Sequence, residues 1–145
     1  MTATFMVIGA ATMIVALGAV SLWRTLSPDS RDGLQPKERL VNLKAALVAD
    51  PPAPDGATLL NRTEYAGDNL SDGPSIGWEY QFGGTASEFV EHYRLVLENK
   101  GWQMEQPGNL PGQLMNFGIV ENGTHYTIAL FGPGSTPNYR VSAFG

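Results

Sequence analysis

Cysteine is absent from this chain of 145 residues. Its absence excludes a disulfide scaffold, thiol catalysis, zinc–thiolate sites, a paired-cysteine haem attachment and a lipid-modified N-terminal cysteine. Histidine is nearly absent too: His92 and His125 are the only two. Neither falls in an HxxxH or HExxH spacing that would hold a metal. A basic surplus is also missing, since 9 Lys and Arg stand against 14 Asp and Glu, for a formal net charge of −5. Nucleic-acid binding needs a basic footprint and is excluded on that ground. The glycines form neither a GxGxxG fingerprint nor a phosphate loop, and no GxSxG elbow occurs. Gly132-Pro133-Gly134 lies between two expected strands, without the following helix that phosphate binding requires. No carboxylate pair stands out as acid and base. The reading is therefore non-enzymatic, with no cofactor, no metal and no catalytic residue.

Charge of either sign is missing from Thr2 to Trp23. At about 1.5 Å per residue, that run spans roughly the 30 Å hydrocarbon core of a bilayer. Residues 1–24 accordingly read as a single transmembrane anchor helix. A cleaved signal peptide is the rival reading, but it would carry a basic n-region and an apolar stretch of only about 7–15 residues. Met1-Thr2 offers no basic side chain. Within the run, Gly9, Thr12, Ala16 and Ala19 fall on one helix face, a stripe of small residues that lets another helix approach closely. These four are the expected helix-docking interface, and Trp23-Arg24 is the expected membrane-interface anchor.

Beyond the anchor, charge is unevenly divided. Arg24, Arg31, Lys37, Arg39 and Lys44 stand against Asp29, Asp32 and Glu38 in a slightly basic neck. From Asp50 onward, acids outnumber Arg62, Arg94, Lys100 and Arg140, so the head is acidic. A basic neck suits anionic lipid headgroups. Residues 25–56 read as a connector, with an amphipathic juxtamembrane helix over 36–49. Pro36 suits its first turn, Leu40, Leu43 and Leu47 recur at helical spacing, and Pro51-Pro52 end it. Asp50 to Gly56 (DPPAPDG) is a stiff linker, and the head is expected at 57–145.

In the head, Ala57 to Tyr65 reads as a first strand. Ile76, Trp78, Tyr80 and Phe82 alternate with small or polar residues, the period of two of a half-buried strand. Thr85-Ala86-Ser87-Glu88 is a capping box, followed by Phe89, Val90, Tyr93, Val96 and Leu97 at helical spacing, with Gly101 as a left-handed stop. Asn122-Gly123 between two apolar runs, 114–121 and 124–131, predicts a type I′ hairpin. Tyr139 to Phe144 is a last strand, and Trp102 to Glu105 an optional short one. The expected fold is α+β: a small antiparallel β-β-α-β-β-β sheet covered on one face by one helix.

The aromatic residues Trp78, Tyr80, Phe82, Phe89, Tyr93 and Trp102 can be read as core filling or as a ligand-binding face. Flanking charges argue for a cytoplasmic head. The Gly, Pro, Asn and Thr content favours the outer side of a bacterial inner membrane, which is the placement adopted. The functional expectation is a non-catalytic single-pass accessory subunit of a larger bacterial membrane complex, respiratory or photosynthetic. It would contact other integral membrane subunits through its N-terminal helix. The alternative is a membrane-tethered envelope domain that binds a small ligand or partner protein through the aromatic face.

Overall fold

A computed structural model describes residues 35–68 and 72–145. The anchor at 1–24 lies outside the described residues, and with it Gly9, Thr12, Ala16, Ala19, Trp23 and Arg24. No helix among the described residues is long and apolar enough to cross a membrane.

Helix α1, Pro36–Leu47, begins with proline in its first turn and a capping box between Gln35 and Glu38. The Gln35 amide donates to Glu38 Oε2 at 3.0 Å, which satisfies a donor that the helix start leaves unpaired. The helix stops at Val48, whose φ of 63° is left-handed, two residues earlier than the expected end at 49. Leu43, Ala46 and Leu47 are buried in the main hydrophobic cluster.

The sheet has six strands: β1 (Thr58–Tyr65), β2 (Ser75–Gln81), β3 (Gln103–Glu105), β4 (Gln113–Glu121), β5 (Thr124–Phe131) and β6 (Tyr139–Phe144). Helix α2, Ala86–Glu98, joins β2 to β3. The spatial order is β1-β2-β6-β5-β4-β3, and every neighbouring pair is antiparallel. The last strand thus inserts between β2 and β5. Trp78 lies opposite Val141, Val141 opposite Leu130, and Leu130 opposite Met115, which makes one apolar row across four strands. At the hairpin tip Asn122 and Gly123 have φ of 51° and 79°, the two positive values a type I′ turn demands.

The α+β class with an antiparallel sheet stands, but two helices cover the sheet rather than one. Leu43 and Leu47 of α1 share a cluster with Phe89, Tyr93 and Leu97 of α2, and with Trp78, Phe117, Ile128 and Val141 of the sheet. The physical reason is the apolar stripe on α1, which costs free energy if left in water and is removed from it here. The compact unit accordingly starts at Gln35. The proline-rich stretch 50–56 is a strap inside that unit, between α1 and β1.

Candidate interaction surfaces

Strand β1 ends the sheet, and all eight of its residues are exposed. Leu59, Leu60 and Tyr65 are among the exposed large apolar side chains. A bulge between Leu59 and Asn61 interrupts the pairing with β2, whereas Asn61 to Tyr65 run in unbroken register opposite Glu79 to Ser75. A bulge near the start of an edge strand bends it locally and leaves the regular part beyond. Arg62 lies opposite Trp78 and Glu64 opposite Ile76, so both charged side chains project on the helix-covered face.

On that face a chain of charges ties β1 to α1. The Arg62 guanidinium donates through Nε and Nη2 to both Asp50 carboxylate oxygens, at 2.7 and 3.0 Å. It also pairs with Glu64, which accepts from Lys44 Nζ at 2.7 Å. The Trp78 indole N–H donates to Asp50 Oδ2 at 3.2 Å, and Arg62 stacks over the same ring. The Arg62 hydrogen bonds hold the Asp50 carboxyl below its ordinary range, against an opposing effect of burial. Lys44 and Arg62 lower the Glu64 carboxyl in the same way. Two neck residues are therefore engaged within the domain: Lys44 here, and Arg39, which donates to the Asp68 carbonyl at 2.7 Å.

A second feature is an open cleft of about 490 Å³ lined by Pro54, Asp55, Gly56, Phe82, Gly83, Gly84, Glu88 and His92. The strap forms one wall and the first two turns of α2 the other. Glu88 is already engaged there: its carboxylate accepts from the Thr85 amide at 2.6 Å, while its own amide donates to Thr85 Oγ1 at 3.2 Å. These bonds to Thr85, the backbone one first, lower the Glu88 carboxyl. His92 Nε2 lies 2.8 Å from the Pro52 carbonyl oxygen and so pins the strap to the helix.

On the uncovered face, His125 Nε2 meets Glu105 Oε1 at 2.8 Å. The pair reaches from β5 to β3 across β4 at Gly118, where a Cβ would collide with both side chains. The two histidines thus serve separate structural contacts, one on α2 and one on β5. Among the described residues, no group of three or more His, Asp or Glu gathers as a metal site.

The aromatic set resolves into core. Trp78, Tyr80, Phe89, Tyr93 and Trp102 are all buried, and only Phe82, half-buried, reaches the cleft. Phe82, Phe89, Tyr93 and Tyr139 stack in tilted or edge-on pairs with centroids 4.6–5.8 Å apart, the offset geometries that aromatic quadrupoles favour. Burial pushes the Tyr93 phenol far above its ordinary range and raises Tyr80 as well. Sequence reasoning missed the edge position of β1. The legible signal was Arg62 and Glu64 two residues apart, charges sharing one face where a central strand would place apolar side chains. Comparison with protein-family models, curated proteins and solved structures returns no match.

Proposed function

We propose that the chain is a non-catalytic, single-pass accessory subunit that docks on a larger bacterial membrane complex of the respiratory or photosynthetic type. The uncharged run Thr2 to Trp23 is long enough to act as the anchor. The stripe Gly9, Thr12, Ala16 and Ala19 is its contact with other integral membrane subunits. The observation that carries the reading is β1: eight exposed residues forming the edge of the sheet. An edge strand offers a row of backbone N–H and C=O groups to another polypeptide, and exposed Leu59 and Leu60 add apolar area beside it. The head sits on the outer face of the inner membrane in this reading, with the basic neck near anionic headgroups.

Purification of the full chain in mild detergent through a C-terminal tag tests it. Defined membrane subunits co-purify in fixed proportion if the reading is right, and recovery of this chain without them sinks it. Ala16→Leu with Ala19→Leu should sharply lower the yield of the assembly without unfolding the head. An unchanged yield would remove the stripe from the interface. The cleft favours a second reading, a tethered domain holding a small ligand between the strap and α2. That reading requires Phe82→Ala to abolish ligand binding while the domain stays folded.

A further inference from the structure

We infer that the β1 edge pairs with the β1 edge of a second copy of this chain, antiparallel and centred on Thr63, to make one continuous twelve-stranded sheet. The inference rests on the reading of β1 as a docking edge and names its occupant as a second copy, which leaves the stripe Gly9, Thr12, Ala16 and Ala19 as the contact with other subunits in that reading. It follows from the order of charges along the strand. A two-fold axis perpendicular to the sheet keeps the helix-covered faces on one side. It also requires that the residue numbers facing each other add to an even sum, because side chains alternate between faces.

Three such registers place the charged stretch of β1 at the seam. Centred on Arg62, the pairing sets Arg62 against Arg62 of its copy. Centred on Glu64, it sets two carboxylates against each other. Like charges directly opposite destabilise a strand pair. Centred on Thr63, Arg62 faces Glu64 of the second copy and Glu64 faces its Arg62, giving two symmetry-related ion pairs on the helix side. Asn61 then faces Tyr65 on both sides of the axis.

The local geometry suits this register. The stretch Asn61 to Tyr65 that would form the seam is the regular part of β1, and the bulge lies outside it. The strand contains no proline, so every outward N–H is available. Thr63 lies opposite Gly77 and leans over it on the uncovered face, so the centre of the seam carries no bulky side chain. Charged residues on an edge commonly act against pairing. Here their order permits one partner arrangement and rejects the neighbouring ones. The two anchors would also hold the copies in one membrane plane, which raises their effective concentration and lets a short seam suffice.

The absence of cysteine makes the test direct. Paired residues at the centre of an antiparallel seam have Cα atoms about 4.5–5.5 Å apart, within disulfide reach. Full-length Thr63→Cys in mild detergent should therefore oxidise to a covalent dimer. Val120→Cys, also exposed but on β4, should stay monomeric. Arg62→Glu should weaken dimerisation about tenfold, the size expected when two facing ion pairs turn repulsive. Adding Glu64→Arg should restore it. The reversed pair also re-forms the Arg62–Glu64 contact within one chain, so the rescue is read as recovery of the Thr63→Cys cross-link and not as recovery of stability. No disulfide at Thr63, equal cross-linking at Val120, or no rescue by the reversed pair would each overturn the inference. The subunit reading fails separately: a Thr63→Cys dimer that purifies without other membrane proteins sinks that reading and leaves the seam standing.

Discussion

Asp50 shows how one residue outside any regular element can organise a surface. It lies between α1 and the first two of the strap's three prolines, yet it accepts hydrogen bonds from Arg62 and from the Trp78 indole. Its folded-state carboxyl is depressed, chiefly by Arg62. A depressed carboxyl contributes stability that is present above its unfolded value, about 3.9, and is lost as pH falls through the lower folded value. Asp50→Asn should therefore flatten the acid limb of the stability profile below about pH 4 and leave its shape near neutrality unchanged. Urea titrations at stepped pH values check this, and an unchanged acid limb would contradict it. The effect is modest, because the Asp50 side chain is 48% exposed and solvent screens the pair. At the start of α2, Thr85→Ala removes the side-chain cap and should cost about 1 kcal/mol by chemical denaturation. Thr85→Ser should cost far less, since its hydroxyl can still accept from Glu88.

Among the elements, α1 gains its importance from packing. Its capping and proline start are local, but its stability comes from placing Leu43 and Leu47 against the sheet. Leu43→Ala should lower the stability of the whole domain by about 2–5 kcal/mol, as a fully buried leucine does when a cavity remains. Val41→Ala, on the exposed side of the same helix, should change it by less than about 0.5 kcal/mol. Equal effects would mean that the helix is not part of the core. The β4–β5 hairpin provides a backbone test. Gly123 has open space around it but a φ of 79°, so Gly123→Ala meets no clash and still strains the turn. It should cost about 1 kcal/mol, and a neutral result would mean that the turn relaxes to another type.

For the whole molecule, the closing strand matters most. β6 lies between β2 and β5, so the two halves of the sheet meet only through the last residues of the chain. Removal of residues 139–145 should abolish cooperative unfolding altogether. A fragment of residues 35–145 should unfold in one transition, while a fragment starting at residue 57 should lose α1 and melt lower or not fold. Thermal unfolding followed by circular dichroism separates these outcomes. If the shorter fragment melts like the longer one, the domain begins after the strap.

Local signals carried much of this in the sequence. The capping box at Thr85, the apolar spacing from Phe89 to Leu97 and the Asn122-Gly123 turn each act within a few residues, and each element formed where its signal stood. The alternation at Ile76, Trp78 and Tyr80 likewise placed three side chains in the core. Strand order and helix partners were not legible, because they depend on which apolar faces meet across long stretches of chain. That meeting moved α1 and the strap from a connector into the domain. It also turned the aromatic set into core and left β1 at the edge. The surface contacts of Asp50 with Arg62 and of Glu105 with His125 join residues 12 and 20 positions apart, and only the folded sheet brings them together. Composition alone still determined the uncharged N-terminal run and the acidic balance of the head, because charge and hydropathy belong to residues before any fold exists. Which of those charges face a partner, and in what order along an open edge, was decided by the tertiary structure, since a strand becomes an edge only when its neighbours have chosen their places.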